Sequence, residues 1–444
     1  MPVRITDLKP DPFVSWFRSV APYVQAHQGR TFVIGFGGEL VRDMQFDALA
    51  NDLKLLASLG VRLVLVHGAR PQIDAQLVRL GLQARFSAGL RITDSDTLHA
   101  VLQAVGGLRA ELEAKLSMAL PNTPMAGASL RLTGGNLVVA KPIGVIEGVD
   151  FLHTGTVRRV DADSIRRLLD LGMVVLLSPI GYSPTGETFN LAQEDVAASV
   201  ATALNADKLV FLGDTRGLGS GRAARLRELS AVQAEALLAS TRKISAELKH
   251  YLECALRVTR MGVARMHLVD RAADGSLLRE LFTHSGVGSM VTRDALETLR
   301  EARIEDVSGI LRLIEPLEAD GTLVRRGREL LEMEIDRFCV LEHDRSILGC
   351  AALYGYPDHA MAELACLAVD PAQQNSGYGE RLLSYIEKRA RARGIVELFV
   401  LTTRTAHWFV EHGFSEAPVG RLPGKRQSLY NYQRRSKVFF KTLA

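Results

Sequence analysis

Apolar residues in this chain come in short blocks. Between Arg30 and about Met290, strand-sized runs such as Thr31–Phe36, Val61–Val66, Met173–Leu177 and Lys208–Leu212 alternate with stretches of helical spacing, Phe46–Ser58, Gln72–Leu80 and Val196–Leu204. Strands that are mostly apolar at successive positions need cover on both faces, and intervening helices make them parallel neighbours. The alternation predicts an α/β fold: a mostly parallel open sheet with helices on both faces. Glycine turns follow two strands directly, at Gly37-Gly38 and His67-Gly68, the end of an open sheet where ligands bind. No run approaches the ~18 apolar residues of a membrane span. Asp7 and Asp11 interrupt the N-terminus before a signal peptide's apolar stretch begins. A soluble, cytoplasmic protein with no membrane partner is expected.

At 444 residues the chain is long enough for two or three domains. Composition turns polar and charged around Thr292–Arg303, which places a boundary there and reads as a linker over 292–302. Beyond it, over 303–444, a smaller mixed α/β domain has its own alternation. Phe338–Leu341 and Ile347–Leu353 pair as strands. Glu363–Val369 is a strand, Glu380–Arg393 a helix and Val396–Leu401 a strand. A net charge of +4 is too small to imply nucleic acid as a partner. The four cysteines, Cys254, Cys339, Cys350 and Cys366, form no CxxC pair and none sits beside a His at metal-ligand spacing, so neither a metal nor a disulfide framework is expected.

The most informative stretch runs from Glu363 to Leu383. A strand ends at Val369, and the turn Gln374-Asn-Ser-Gly-Tyr-Gly379 opens a helix with Leu382, Leu383 and Ile386 on its apolar face. A loop entering a helix N-terminus presents unpaired N–H groups and a positive dipole end, suited to a pyrophosphate. Gly377 and Gly379 let the backbone approach it closely. The loop fits Gln/Arg-x-x-Gly-x-Gly/Ala, follows a strand carrying a carboxylate, and precedes by about 30 residues a helix closing on Gly413-Phe414. This combination resembles the GNAT superfamily of acetyl-CoA-dependent acetyltransferases. The resemblance implies acetyl-CoA as co-substrate, held by Leu367, Val369, Gln374, Asn375, Ser376, Gly377, Tyr378 and Gly379. An ammonium acceptor must lose a proton before it attacks a thioester, which calls for a general base, and Glu363 is the candidate. In the superfamily this strand carries a bulge whose freed N–H polarises the thioester carbonyl. Here Cys366–Leu367 would supply it, and the bulge would let residues 363 and 366, three apart, face the same way. Cys366 and Thr402 are candidates to donate a proton to the departing thiolate or to orient water. For Cys366 the alternative is an ordinary buried thiol.

After Glu416 the chain has no acidic residue, while Arg421, Lys425, Arg426, Arg434, Arg435, Lys437 and Lys441 follow, with Tyr430 and Tyr432 among them. The tail reads as a solvated strand edge, a nucleic-acid or lipid stripe, or a clamp for an acidic substrate, since guanidinium groups grip carboxylates bidentately. Arg325, Arg326 and Arg328 form a second cluster, and two clusters flanking one acceptor site suit a dicarboxylate.

The first domain, 29–291, resembles the amino-acid kinase family, particularly acetylglutamate kinase. The resemblance rests on Phe36-Gly-Gly38, Val66-His-Gly-Ala-Arg-Pro-Gln-Ile73, Asn190 with Glu194-Asp195, Ala206–Leu212 and Gly286–Val291. Two departures stand out. Gly35 occupies the place of the kinases' phosphate-binding Lys, and Arg70 that of their third loop glycine, so phosphoryl transfer is not expected. A kinase-like domain followed by a GNAT domain resembles the bacterial N-acetylglutamate synthase family over nearly the whole chain. The resemblance implies L-glutamate as acceptor, the first step of arginine biosynthesis, and an L-arginine sensor at Tyr23, His267, Glu280, Gly286 and Gly288. Arg326 is the first choice for a glutamate carboxylate, with Arg434, Arg435 and Ser436 beside it. Which of Arg434 and Arg435 faces the site is open, since a one-residue slip reverses a strand's face. Residues 1–28 stand apart as a helical arm: Phe13, Trp16, Phe17, Val20 and Val24 form one apolar stripe. That stripe packs either on its own domain or on a neighbouring subunit, and the family resemblance implies a homo-hexamer linked by the arm.

Overall fold

The structure is a computed structural model. It describes residues 11–43, 45–87, 89–118, 130–213, 228–240, 246–283, 286–374 and 376–443. The chain divides into two units, Met1–Asp294 and Ala295–Ala444.

In the first unit the strand Thr31–Phe36 is buried at all six positions and lies inside an eight-stranded sheet. Arg62–His67 pairs with it in parallel on one side and Lys208–Gly213 on the other. Val174–Leu177 and Arg265–Asp270 extend the parallel run outward, and Ser289–Thr292 adds an antiparallel strand beyond Arg265–Asp270. Two cores cover the two faces. Phe46, Leu53 and Leu56 of the helix Phe46–Ser58 lie on one, Val196, Val200 and Leu204 of the helix Gln193–Leu204 on the other. A second sheet of four short strands, not foreseen from the sequence, carries Val138–Pro142, Gly155–Val160, Ile180–Tyr182 and Thr188–Asn190.

The arm is one helix, Pro12–His27. Asp11 caps it by accepting from the Phe13 amide at 2.8 Å, and Pro12 sits in the first turn, where a missing N–H costs nothing. Its apolar stripe is divided. Val20, Tyr23 and Val24 rest on the core of their own unit, whereas Phe13, Trp16 and Phe17 are 67%, 57% and 60% exposed.

The second unit is a seven-stranded sheet in the order Glu297–Glu301, Phe338–His343, Ser346–Tyr356, Met361–Val369, Glu397–Thr402, Lys437–Thr442 and Ser415–Ala417. Residues 292–302, expected as a linker, contain the first of these strands. Its polar composition is that of a sheet edge: Arg300 reaches Asp306 at 2.7 Å and Glu342 at 2.6 Å. One face of the sheet takes the helix Tyr378–Ala392, with Leu382, Leu383 and Ile386 inward. The other takes the helix Val307–Ala319 through Ile310 and Ile314.

Met361–Val369 and Glu397–Thr402 are the one parallel pair in this sheet, and their ladder has three rungs, ending at Glu363 opposite Phe399. Phe399 is fully buried, with its ring 5.6 Å from Tyr356 and 5.5 Å from Phe440. It anchors the last rung. Phe399→Ala is expected to cost ~3–5 kcal/mol, read as a lower midpoint of thermal unfolding. An unchanged midpoint would mean that the rung does not depend on this ring.

Candidate functional site

Past Glu363 the two parallel strands both continue, to Val369 and Thr402, without pairing. A wedge therefore opens in the sheet. On the other side of Met361–Val369, the ladder with Ser346–Tyr356 shifts register: Cys350 faces Ala368 and Ala352 faces Ala365, so Cys366 and Leu367 share one partner position. This is a β-bulge, and Cys366 takes φ 51° within it. The bulge reverses the face of everything after it. Ala362 and Leu364 belong to the core under the helix Tyr378–Ala392, while Cys366 and Ala368 belong to the opposite one. Glu363 and Cys366 consequently share a face, and Leu367 and Val369 turn toward the helix side.

Glu363 is 9% exposed, and both its oxygens are taken. Arg426 donates from Nε to Oε2 at 2.6 Å and from Nη2 to Oε1 at 2.9 Å, the bidentate fork that suits a guanidinium and a carboxylate. Arg326 lies within electrostatic reach of Glu363, Cys366 and Tyr354. Arg434 donates to the Thr322 carbonyl, and burial together with the charges of Arg326 and Arg426 lowers its pKa. Arg435 is exposed, with φ 48°. Arg434 is thus the one of the pair turned toward the other guanidinium groups. Ser436 is buried, and its carbonyl accepts from the Tyr430 hydroxyl at 2.6 Å. Opposite Glu363 in the ladder, Tyr354 donates to Glu334 at 2.7 Å. Burial raises the Cys366 thiol to about 11. The Thr402 hydroxyl is tied locally, 2.9 Å from Thr405 Oγ1 and accepting from the Thr405 amide at 3.1 Å, where it shapes the entry to the helix Ala406–Glu411.

The sequence did not single out Arg426 as a partner of Glu363. It stands 63 residues away, on the short turn Gly424–Gln427, as one cation among seven. Three others of that tail are paired elsewhere: Arg421 with Glu397, Lys437 with Glu416 and Lys441 with Glu387. The tail is a set of separate ion pairs, not a continuous basic stripe.

Gly377 precedes the helix Tyr378–Ala392 at φ 79°, a conformation that favours glycine. The first-turn amides behind it have no intrahelical acceptor and point out of the helix start. Gly379 also has a packing constraint. A Cβ there would lie 3.2 Å from the Trp408 ring, so this glycine lets the helix pack on the indole. The Tyr378 hydroxyl donates to Glu297 at 2.7 Å, away from the loop. The Ser376 amide donates to the Gln373 carbonyl, beside Gln374. Asn375 lies outside the described residues.

In the first unit, the place of the kinases' Lys is closed by packing. A Cβ on Gly35 would stand 2.7 Å from the Phe211 ring and 3.2 Å from Gln193. Asp195 is occupied by Thr156 at 2.9 Å, the Val157 amide at 3.0 Å and Arg257 at 3.0 Å. Arg70 opens the helix Arg70–Arg79 and is exposed. Four of the five expected effector residues converge. Glu280 meets His267 Nδ1 at 2.7 Å through Oε1 and accepts the amides of Val287 and Gly288, both at 2.7 Å, through Oε2. A Cβ on Gly286 would lie 2.6 Å from Glu280 Oε2, and one on Gly288 3.2 Å from it. Tyr23 reaches this cluster through His27, 6.5 Å away ring to ring, and His27 bonds the Leu281 carbonyl at 2.7 Å. Lys208, 3.4 Å from His267 Nε2, is a further member. Its trace in the sequence is a charged residue opening an apolar strand. Among the described residues no group of three or more His, Cys, Asp or Glu could hold a metal ion, and no helix is long and apolar enough to cross a membrane.

A wedge in a mixed sheet, beside a bulge and a glycine-capped helix start, is the layout expected of the acetyl-CoA-dependent acetyltransferases that the sequence resembles, and the comparisons with known proteins agree for both units. The Amino acid kinase family matches residues 30–270, and the Acetyltransferase (GNAT) domain matches 334–416. An amino-acid acetyltransferase of Ralstonia nicotianae is 53% identical over 431 residues, 97% of this chain and 95% of the relative. That of Azotobacter vinelandii is 54% identical over 432 residues, 97% and 99% of the two chains. The chain belongs to the amino-acid acetyltransferase family. The solved N-acetylglutamate synthase from Neisseria gonorrhoeae complexed with coenzyme A and L-arginine matches with a TM-score of 0.87 at 39% identity, over 98% of this chain and 100% of that one. The same enzyme complexed with coenzyme A and N-acetyl-glutamate matches with a TM-score of 0.61 at 40% identity, with the same coverage.

Burial lowers His27, His67 and His267 to about 4. Below pH 6.5 the unfolded chain takes up protons that the folded chain refuses until about pH 4. Stability present above pH 6.5 is therefore lost as pH falls through that window, by about 2 kcal/mol per His at pH 5. Urea unfolding at pH 7.5 and pH 5 should show the loss, and His67→Asn should reduce it. A midpoint equal at both pH values would refute the buried-neutral assignment.

Proposed function

We propose that the second unit transfers acetyl from acetyl-CoA to the amino group of L-glutamate, and that the first unit senses L-arginine. The observation that carries the acceptor reading is the convergence of Arg326, Arg426 and Arg434 beside Glu363, which is already paired with Arg426. Like charges held together call for anions to complete them, and a dicarboxylic amino acid brings two. The solved relatives with coenzyme A, L-arginine and N-acetyl-glutamate support the same choice.

The chemistry is direct transfer. Acetyl-CoA lies along the wedge with its pyrophosphate on the amides behind Gly377. Glu363 accepts a proton from the glutamate ammonium, and the amine attacks the thioester carbon. The bulge N–H at Cys366–Leu367 steadies the oxyanion. The C–S bond breaks, and the thiolate takes the second proton that the nitrogen sheds. Cys366 is a poor source for that proton. An ordinary thiol titrates near 8.5, so donation from one at about 11 runs uphill by ~3 kcal/mol. We assign Cys366 to shaping the bulge and the water beside it, and Thr402 to holding the turn.

For the effector, a guanidinium suits Glu280, the carboxylate that gathers His267 and the amides of Val287 and Gly288, with Lys208 beside His267. The exposed aromatic end of the arm, Phe13, Trp16 and Phe17, is read as the contact with a neighbouring subunit in a homo-hexamer.

CoA release from acetyl-CoA should require glutamate within a panel of amino acids and should change with L-arginine. Glu363→Gln should lower turnover ~10²–10⁴-fold with acetyl-CoA binding retained. Unchanged turnover across pH removes Glu363 from the role, and release with a different amine removes glutamate. Paired Trp16→Ser and Phe17→Ser should reduce a hexameric mass in sedimentation to dimers. An identical mass for parent and variant would reject the arm contact.

A further inference from the structure

The Glu363–Arg426 fork does more than position a base. Both partners are largely buried, with side chains 11% and 17% exposed. The guanidinium uses two of its nitrogens on Glu363 and points Nη1 at the Leu429 carbonyl, 3.4 Å away. Its backbone is held independently: the Arg426 amide donates to Pro423, and Gln427 Nε2 donates to the carbonyls of Gly420 and Leu422 at 2.9 and 2.6 Å. The side chain can leave Glu363 without moving the turn that carries it. The other nearby carboxylates are committed. Glu318 accepts the Arg326 amide at 2.8 Å, and Glu334 takes Tyr354 at 2.7 Å and Arg337 at 2.8 Å.

A proton taken up by Glu363 in this arrangement would strip Arg426 of its anion in a poorly hydrated place, which opposes the transfer. A replacement carboxylate removes the obstacle, because the guanidinium then changes partner without being left bare. Neither water nor a simple amine offers one; an amino acid does.

We infer that Arg426 is a specificity-determining latch that keeps the Glu363 carboxylate from serving water until the acceptor's own carboxylate takes the guanidinium. The inference rests on Glu363 being the general base. The reaction it suppresses is hydrolysis. The water oxygen bonds to the acetyl carbon, the C–S bond breaks, one water proton passes through Glu363 to the departing thiolate, and acetic acid and CoA thiol leave. Wasteful loss of acetyl-CoA is prevented by a side chain that touches the acceptor, and selection for a carboxylate-bearing amine comes from the same contact.

Glutarate, a dicarboxylate with no amine, tests this on the unaltered full chain. At concentrations where it competes with glutamate, it should raise glutamate-independent CoA release from acetyl-CoA. Competition with no rise overturns the latch. Arg426→Gln should show the rise without glutarate, by ~10-fold or more given what a general base contributes, with a higher KM for glutamate. Arg426→Lys, which restores a cation, should bring hydrolysis back toward the parent level. Hydrolysis at the parent rate in a folded Arg426→Gln that still binds acetyl-CoA also overturns it. Adding Glu363→Gln to Arg426→Gln should abolish the gain. The two readings fail separately. Full transfer by Glu363→Gln alone removes the base, whereas lost transfer in Glu363→Gln with flat hydrolysis in Arg426→Gln removes only the latch.

Discussion

Between Cys350 and Ala352 the antiparallel ladder of the second unit absorbs one extra residue on the facing strand, and Cys366 takes a left-handed conformation to allow it. A strand alternates faces with period two, so one inserted residue exchanges the faces for everything beyond it. That exchange turns Cys366 to the side of Glu363 and sends Leu367 and Val369 to the helix side. Pairing with Glu397–Thr402 ends at Glu363, three residues before Cys366. The shared face of Glu363 and Cys366 follows from one residue of slack.

The electrostatics are built on that shared face. A mixed sheet normally seals its interior with apolar side chains, and here three guanidinium groups and a carboxylate meet instead. Such a group is costly unless its charges are paired and hydrogen-bonded. Glu363 pairs Arg426 there, and the neighbouring Glu318 and Glu334 bond the Arg326 amide, Tyr354 and Arg337. The first unit gathers donors on one carboxylate: Glu280 takes His267 and the amides of Val287 and Gly288, with Lys208 beside His267.

Much of this was legible in the residues. The strands and helices that the apolar pattern singled out fall close to where it puts them, because pattern and burial agree there: Thr31–Phe36 and Phe46–Ser58 match to the residue, whereas the helices Ser95–Leu116, Ala246–Arg260 and Val307–Ala319 were not singled out. The placement of Glu363 on a strand that runs through a turn into a helix was legible because the three are contiguous in sequence. The linker over 292–302 was misread because an edge strand and a linker are both polar, and only a partner strand distinguishes them. The packing of Gly379 on Trp408 was not legible because the indole lies 29 residues on. Arg426 could not be picked from its neighbours for a similar reason. Its neighbours pair with Glu397, Glu416 and Glu387, and composition does not say which cation goes where. The choice between Arg434 and Arg435 depended on one backbone angle, φ 48° at Arg435.

Gly35 sets the terms on which the first unit could be re-engineered. Where the kinases place a lysine, the space belongs to the Phe211 ring and the Gln193 amide. A change at position 35 alone would drive its new side chain into an aromatic ring within a fully buried strand. A smaller residue at 211 alone would open a void in the core with nothing to fill it. The two positions are coupled by packing, so a lysine can enter this strand only together with a smaller partner at 211.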